Sequence, residues 1–422
     1  MQIELRSPLR NFSFAVVCLV LVGLYLQLAL PAYLASRLAT GPESPNLQKA
    51  IRLEPSNAEY RDLLGRNLAL SGISLDDAIA NYRIAVRLNP YAARYWLDLA
   101  GAYQLAGRTR EQEESVERAV EVDPTTPHVA WEAANFFLVQ GDPEKALRYF
   151  HLVLANDPDT VDSALQLCWR ATGDANHLLD VVLPRRPDLY LSFLRLLMYR
   201  QETAAAENVW NRLIGLNQSF STKLAFPYLR FLIAQKEVAA AQTAWQQLAN
   251  VDGALRPYLP SRENLIVNGG FEENLLNGGF DWWYQPNSHA TLAIDTSEFH
   301  RGTRSLSVTF DGRNASEAGI FQFIPVKPNS EYEFSGEWRA EDLDTASGPR
   351  FSITDAYSNT SYVLTDDTLG TTPWRLQQAR FQTGPNTNLL LLRIARQPAA
   401  PLIRGKLWID DLTLVEKENK DQ

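Results

Sequence analysis

Proline recurs at an almost constant interval through the first part of the chain. Pro55, Pro90, Pro124 and Pro158 are separated by 35, 34 and 34 residues. Each of them closes a similar segment, and these segments read AIRLEP, AVRLNP, AVEVDP and LVLANDP. A fixed period of this length indicates a stack of structural units, each of which buries its apolar face only against its neighbours. This part of the chain is therefore predicted to form a repeat architecture.

The residues between these prolines have helical spacing and fixed size preferences. An aromatic or β-branched residue lies eight positions before the proline, and a small residue lies four positions before that. These positions are held by Tyr82, Val116 and Phe150, and by Ala78 and Ala146, with Gln112 as the exception. The pattern resembles the tetratricopeptide repeat. The resemblance implies two antiparallel helices in each unit, with alanines such as Ala100 and Ala134 where the helices approach closely.

The repeat continues, with one irregular segment before Pro187, to about residue 250. Trp210 and Trp245 are again 35 residues apart, and tryptophans at this spacing are expected to pack between repeats. We predict five recognisable units and one irregular unit over residues 46–250. The segment NLQKAIRLEP would be the second helix of an incomplete first unit.

The first helix of each predicted pair is expected to line a concave groove. A solenoid of this kind presents an extended surface for a peptide or a partner protein, not a preformed catalytic pocket. The polar side chains that could line the groove are those of Arg61, Asn67, Arg94, Asp98, Asn135 and Gln140.

A long uncharged segment lies near the N-terminus. Residues 11–36 contain no charged side chain, and a helix of about 20 apolar residues is long enough to span the hydrocarbon core of a bilayer. Arg6 and Arg10 precede the segment, which favours a cytoplasmic N-terminus and an extracytoplasmic location for the rest of the chain. The alternative is a cleaved signal peptide, whose apolar stretch is normally shorter. The length favours an uncleaved single-pass anchor. The types of module described below would place the chain in a bacterial cell envelope.

The residue types change after a linker at 251–263. Beyond it, short runs such as SLSVTF at 305–310 alternate apolar with polar residues, and clusters such as DGRN and KPNS separate them. Roughly eight to ten such runs without a helical segment are typical of a two-sheet antiparallel β-sandwich. The predicted fold class is therefore a multidomain α plus β protein, with a transmembrane helix, an α-solenoid and a C-terminal jelly roll.

Several strings in this last part occur in a characteristic order. They are NLIVNGGFE at 264–272, HRGTRSLSV at 300–308 and LWIDDLTL at 407–414. In this order they resemble the carbohydrate-binding modules with a galactose-binding-like jelly roll, over residues 264–416. The resemblance implies a domain that binds a polysaccharide without cleaving it.

The same resemblance implies a structural calcium ion. Its ligands would be Glu272, Asp410 and Asp411, at positions that match the opening and closing strings. Calcium takes about six to eight oxygen ligands, so backbone carbonyl groups would have to supply the rest. The alternative is that Glu272 only caps a turn.

Sugar rings stack on flat aromatic side chains, and their hydroxyl groups bond to amide, guanidinium and carboxylate groups. The candidates for such a site are the aromatic residues outside the most regular strands, together with nearby polar residues: Trp282, Trp283, Tyr284, Tyr357, Tyr362, Arg350, Gln377 and Asn287. The alternative for Trp282 and Trp283 is that they cover one end of the sandwich. Trp338, Trp374 and Trp408 alternate within strands and are expected to lie in the core.

Charge and motif content exclude several classes of function. The net charge is −9, and 21 acidic against 14 basic residues from position 264 onward give −7 for the jelly roll. This charge disfavours nucleic acids and strongly anionic polysaccharides, and favours neutral or amino sugars. The chain contains two distant cysteines and no HExxH, GxSxG or phosphate-binding glycine motif. Paired acidic residues such as Asp366 and Asp367 would point to opposite faces of a strand.

These observations predict a membrane-anchored extracytoplasmic adaptor that is not an enzyme. It would dock a partner protein on its repeats and bind a polysaccharide through its jelly roll. The alternatives are a scaffold without sugar affinity, for envelope or exopolysaccharide assembly, and an accessory subunit of a carbohydrate-active enzyme. The predicted organisation is a cytoplasmic tail at 1–10, an anchor at 11–36, the solenoid at 46–250, the linker at 251–263, the jelly roll at 264–416 and a tail at 417–422.

Overall fold

The computed structural model describes residues 8–40, 44–72, 74–285, 287, 289–399 and 401–417. Backbone contacts divide the chain into two compact units, Met1–Leu189 and Tyr190–Gln422. Most of the two predicted tails, including Arg6, lies outside the described residues.

The first unit consists of helices joined by short connections. After the long helix α1 (Pro8–Ala39) come helices of 10 to 14 residues and one short helix. They are α2 (Ser44–Leu53), α3 (Ala58–Ser71), α4 (Leu75–Leu88), α5 (Ala93–Leu105), α6 (Thr109–Val122), α7 (Pro127–Gln140), α8 (Pro143–Asn156), α9 (Val161–Thr172) and α10 (Ala175–His177). A π-helical turn at Leu178–Val182 continues α10 and accounts for the irregular repeat.

Consecutive helices of this unit pack as the predicted antiparallel pairs: α3 on α4, α5 on α6, and α7 on α8. The aromatic and β-branched positions of the repeat, Tyr82, Val116 and Phe150, are buried. At Gly65 a Cβ atom would lie 2.9 Å from the ring of Tyr82, so only glycine allows the two helices to approach this closely. The helix pairs of the tetratricopeptide type are confirmed.

The end of α1 belongs to the packed part of the unit. Ala35 is fully buried, and together with Leu38 it contacts a cluster that contains Leu47 and Ile51 of α2 and Tyr60 of α3. The last turns of α1 therefore serve as the missing first helix of the incomplete repeat. The preceding part of α1 exposes its apolar side chains, and residues 12–39 are long and apolar enough to cross a membrane.

The second unit begins with four helices and continues as strands. The helices are α11 (Pro187–Arg200), α12 (Thr203–Gly215), α13 (Phe226–Ala234) and α14 (Val238–Val251). The strands are β1 (Trp283–Tyr284), β2 (Ala290–Asp295), β3 (Ser305–Asp311), β4 (Glu317–Pro325), β5 (Glu331–Asp344), β6 (Pro349–Asp355), β7 (Ser361–Leu364), β8 (Gly370–Gln382), β9 (Leu389–Arg396) and β10 (Arg404–Lys417). Trp210 and Trp245 are buried, as expected for residues that pack between repeats.

The strands form two antiparallel sheets of five strands each. The first sheet has the order β1-β4-β9-β6-β7, and the second has the order β2-β3-β10-β5-β8. Alternate residues of both sheets fill one core, in which the rings of Trp338 and Phe351 stack 4.8 Å apart. The predicted two-sheet β-sandwich is therefore confirmed.

Two helices of the second unit press on the loop that leads into β1. A Cβ atom at Gly278 would lie 2.3 Å from the ring of Phe226 in α13, and one at Gly279 would lie 2.3 Å from the ring of Trp245 in α14. Gly279 also has a positive φ of 63°, which favours glycine. The loop is therefore held against the helices by contacts that tolerate no side chain at these two positions.

Candidate functional site

The outward face of the first sheet carries a cluster of three aromatic rings. Along β4 the buried Ile320 and Ile324 point into the core, so Phe321 and Phe323 point to the opposite face. Trp283 of β1 is the cross-strand partner of Phe321. The ring centroid of Trp283 lies 6.4 Å from the ring centroids of both phenylalanines. The Trp283 ring is nearly parallel to the ring of Phe321 and nearly perpendicular to that of Phe323.

The loop before β1 fixes the orientation of Trp283. The indole Nε1 of Trp283 donates a hydrogen bond of 2.9 Å to the carbonyl oxygen of Gly279. The backbone N–H of Tyr284 donates to the side-chain oxygen of Asn277 at 2.9 Å. These two bonds tie the beginning of β1 to the loop.

A buried carboxyl group lies under the same loop. Asp281 is fully buried, and its Oδ2 accepts a 2.7 Å hydrogen bond from the backbone N–H of Leu276. Its Oδ1 has no hydrogen-bond partner among the described residues. Burial raises the pKa of Asp281 to about 7, because a low-dielectric site disfavours the charged carboxylate.

Helix α13 forms one wall beside the aromatic cluster. The guanidinium carbon of Arg230 lies 5.8 Å from the centroid of the Trp283 ring. The hydroxyl of Tyr357 donates a 2.8 Å hydrogen bond to the carbonyl oxygen of Ile233, and burial raises the pKa of this hydroxyl to about 12. The side chain of Tyr357 is thus fixed between the sheet and the helix.

These elements enclose a cavity of about 510 Å³ that is open on one side. Its walls are more apolar than polar, with a few amide groups, which is typical of a small-ligand site. The lining residues are Arg230, Ile233, Ala234, Asn277, Trp283, Tyr284, Gln285, Phe321, Phe323, Ala356 and Tyr357. We call this cavity the aromatic pocket.

The pocket brings together three of the aromatic residues named from the sequence: Trp283, Tyr284 and Tyr357. Trp282 was wrongly included, because its side chain is 1% exposed and its ring stacks on Phe271 in the core. An indole with both faces covered has no surface for a sugar ring. Trp282 is a core residue, while its neighbour Trp283 lines the pocket.

The other predicted site residues lie outside the pocket lining. Tyr362 stacks on Phe381 and shares a hydrogen bond with Thr387. Arg350 of β6 donates to the carbonyl oxygen of Thr365 and pairs with a carboxylate. Gln377 lies on β8 in the second sheet. Asn287 donates to the carbonyl oxygen of Glu317 and accepts the backbone N–H of His289.

Two aromatic residues of the pocket, Phe321 and Phe323, were missed. The sequence pattern that could have identified them is FQFIP at 321–325, in which the two aromatic residues alternate with Gln322. Gln322 is the residue that points inward. Its side-chain oxygen accepts the backbone N–H of Val267, and its side-chain amide donates to the carbonyl oxygen of Val267. Trp374 was also placed wrongly in the core. It is half-buried on the second sheet and donates to Glu298.

The three acidic residues predicted to bind calcium accept hydrogen bonds from one loop. Both carboxylate oxygens of Glu272 accept bonds from Thr303, which lowers the pKa of Glu272. Asp410 is buried and accepts the backbone N–H groups of His300 and Arg301, while Asp411 contacts the His300 ring. Among the described residues no group of three or more His, Cys, Asp or Glu side chains could hold a metal ion.

The binding of calcium at this loop stays a prediction, and unfolding measurements can test it. We expect Glu272→Gln to lower the free energy of unfolding by about 1 kcal/mol, because the acceptor of one hydrogen bond is lost. If the carboxylates only hold the loop, neither calcium nor a chelator changes the unfolding midpoint of either protein. A midpoint that rises with calcium in the wild type, but not in Glu272→Gln, would establish the ion.

The first unit has a second open groove of about 540 Å³, lined by residues of α5, α6 and α7. Of the six polar residues expected there, Asp98, Asn135 and Gln140 line it. Arg66 bridges Asp98 to the buried Asp62 at its edge. Burial raises the pKa of Asp62 to about 7, and the charge of Asp98 adds to this effect.

Three exposed apolar residues occupy the same position in successive repeats. Leu70, Leu105 and Val139 lie at the ends of α3, α5 and α7, and are 83%, 70% and 76% exposed. Single exposed apolar residues are common, but here one position is apolar and exposed in three consecutive repeats. We call these three residues the apolar ladder.

Comparisons with known proteins agree with this division. Residues 263–401 match the family model of a carbohydrate binding domain. No curated protein sequence matches the chain. Carbohydrate binding domains and tetratricopeptide-type helix pairs are non-catalytic binding modules. This agrees with a sequence that contains none of the catalytic motifs named above.

Solved structures resemble each part of the chain separately. A carbohydrate-binding structure titled "CBM4 structure and function" is 14% identical, with 36% of this chain and 99% of that chain covered and a TM-score of 0.29. The CBM22-1 xylan-binding domain of Xyn10C from Paenibacillus barcinonensis is 16% identical, with 36% and 93% covered and a TM-score of 0.26. The MamA protein is 14% identical, with 42% and 95% covered and a TM-score of 0.32.

Proposed function

We propose that this chain is a membrane-anchored extracytoplasmic adaptor that binds a polysaccharide in the aromatic pocket. The observation that carries this proposal is the cluster of Trp283, Phe321 and Phe323 on the outward face of a domain that matches a carbohydrate binding domain. Aromatic side chains that point away from a core already filled with apolar residues have no role in its packing. They would instead cover the apolar face of a sugar ring.

The polar groups of the pocket support a sugar ligand. Asn277 and Gln285 line the cavity beside Trp283, and amide side chains both donate and accept hydrogen bonds, as sugar hydroxyl groups do. We infer that the chain binds and does not cleave. Glycoside hydrolysis needs two carboxyl groups that flank one bond, and the lining residues of the pocket include no aspartate or glutamate.

The test of this function is binding of the full-length chain, purified in detergent, to a panel of soluble polysaccharides. The full chain is needed because Arg230 and Ile233 of α13 line the pocket, so a fragment that begins at the jelly roll would lack one wall. We expect saturable binding to at least one polymer. A folded chain that retains no polymer of the panel would contradict the proposal.

The packing of α1 supports an uncleaved anchor over a signal peptide. Cleavage after Ala39 would remove Ala35 and Leu38, and would expose the apolar Leu47 and Ile51 that pack against them. The exposed apolar part of α1 would lie in the membrane. Mature chains that begin after Ala39 would contradict the anchor.

The apolar ladder favours a second role, the docking of a partner protein on the repeats. Leu70, Leu105 and Val139 would be covered by a partner segment that presents apolar side chains along its length. Exposed apolar side chains contribute little to folding, so their loss is expected to change the free energy of unfolding by less than about 0.5 kcal/mol each.

Replacement of all three ladder residues by serine is therefore expected to release the partner without loss of structure. The measurement is crosslinking in native membranes, comparing the wild type with the triple variant and with a control, Leu224→Ser, whose leucine is exposed in the second unit. A partner crosslinked by the wild type and the control, but not by the triple variant, would support docking on the ladder. Equal crosslinking of that partner in all three proteins would contradict it.

A further inference from the structure

Arg393 lies on the same face of the first sheet as the aromatic pocket, outside its lining, and has no ion-pair partner among the described residues. Leu392 and Ile394 of β9 point into the core, so Arg393 between them points to the outward face, beside its cross-strand partner Phe321. Arg393 is half-buried, and its Nε is buried without a hydrogen bond among the described residues. No carboxylate of the described residues forms an ion pair with it, whereas Arg350 on the adjacent strand pairs with Asp367.

A second guanidinium group without an ion-pair partner among the described residues lies over a ring of the aromatic cluster. Arg230 of α13 is exposed, and it contacts the ring of Trp283. Within the part of the chain that the structure describes, no carboxylate lies within ion-pair distance of Arg230. Across β1, β4 and β9 the paired residues are therefore Trp283, Phe321 and Arg393, and Arg230 lies over the ring of Trp283.

From residue 264 onward the chain carries 21 acidic and 14 basic residues, yet no carboxylate of the described residues pairs with Arg393. A half-buried guanidinium without an anion loses hydration and gains no compensating charge. The negative net charge alone favours neutral or amino sugars, but net charge describes the field at a distance. Recognition depends on the charges at the pocket.

We propose that the polysaccharide bound in the aromatic pocket is acidic, with sugar units that carry carboxylate groups. This inference rests on the proposed function and specifies its ligand class. Guanidinium groups form paired, charge-assisted hydrogen bonds with carboxylates. Trp283 and Phe321 offer ring faces to the sugar, while Arg393 and Arg230 bind carboxylates of uronic acid units. The carboxylate groups of a single polymer thus provide ion-pair partners for both arginines.

The experiment compares three polymers on the full-length chain in detergent: polygalacturonate, the same polymer after chemical reduction of its carboxyl groups, and neutral xylan. We expect polygalacturonate to bind more tightly than the reduced polymer, and its affinity to fall as salt is added. Arg393→Gln and Arg230→Gln are each expected to weaken polygalacturonate binding by at least about tenfold, because each loses charge-assisted hydrogen bonds to a carboxylate. The matched control is Arg375→Gln, an exposed arginine on β8 in the other sheet.

The outcomes separate this inference from the proposed function. Equal affinity for polygalacturonate and its reduced form would overturn the acidic ligand and leave polysaccharide binding intact. Binding that Arg375→Gln weakens as much as Arg393→Gln would show a nonspecific charge effect and would also overturn it. Retention of none of the three polymers by the folded chain would overturn both. Arg393→Lys, which keeps the charge but not the planar geometry, is expected to lose less affinity than Arg393→Gln.

Discussion

Replacement of Trp283 by alanine is expected to weaken polysaccharide binding by about thirtyfold or more. The indole ring is the largest aromatic surface of the pocket, and it is fixed by its bond to the carbonyl oxygen of Gly279. Removal of a central, preoriented aromatic side chain from a binding site typically costs about 2 kcal/mol or more, and 1.4 kcal/mol corresponds to tenfold in affinity. The contact between Trp283 and Arg230 would be lost with the ring.

The matched control for this prediction is Trp374→Ala. Trp374 is also a half-buried tryptophan of the jelly roll, but it lies on the second sheet and donates its N–H to Glu298. The measurement is the dissociation constant of the same polymer for the wild type and the two variants, with folding checked by circular dichroism. Equal losses of affinity in the two variants, or no loss in Trp283→Ala, would exclude the aromatic pocket as the binding site.

The architecture follows from the sequence because its signals are periodic. Pro55, Pro90 and Pro124 recur with the length of one helix pair, and the structure places helix pairs between them. In the jelly roll, the alternation of apolar and polar residues indicates strands. A periodic signal averages over many residues, so single exceptions such as the buried Gln112 do not change the prediction.

The pocket could be predicted only in part, because its geometry depends on details that periodicity does not contain. Trp282 and Trp283 are adjacent, and one is buried while the other lines the cavity. Which of them faces outward depends on where β1 begins, and β1 is only two residues long. The side chain of Phe321 points outward because a polar residue, Gln322, is buried next to it.

No local sequence pattern predicts that α13 forms a wall of the pocket. Arg230 and Trp283 are more than fifty positions apart, in segments that the sequence assigns to different domains. The contact depends on two glycines, Gly278 and Gly279, whose missing side chains let the loop lie against Phe226 and Trp245. A sequence read alone shows these glycines as an ordinary turn.

Asp281→Asn is expected to stabilise the jelly roll at alkaline pH and to leave it unchanged in acid. The pKa of Asp281 is raised to about 7 in the folded state, from about 4 in an unfolded chain. Below pH 4 the carboxyl group is neutral in both states, so its burial has no charge cost. As the pH rises from about 4 to 7, the unfolded carboxyl ionises first, and the wild type loses stability by about 2–4 kcal/mol.

The asparagine variant carries no charge at this position, and its side-chain oxygen can still accept the N–H of Leu276. Its stability should therefore not fall over this range, so that above pH 7 it exceeds the wild type by the same amount, about 2–4 kcal/mol. The measurement is amide hydrogen exchange within residues 264–416. A global unfolding curve would also contain the titration of Asp62 in the first unit, whose pKa is likewise raised to about 7. Asp366→Asn, at an exposed site, is the control.

The same titration is expected to appear in ligand binding. Asp281 lies two residues before Trp283, and ionisation of the buried carboxyl favours opening of the loop that orients the indole. The affinity of the wild type for its polysaccharide should then decline between pH 6 and 8, roughly across the pKa of about 7, while that of Asp281→Asn stays level. Parallel pH profiles for the two proteins would show that Asp281 does not control the position of Trp283.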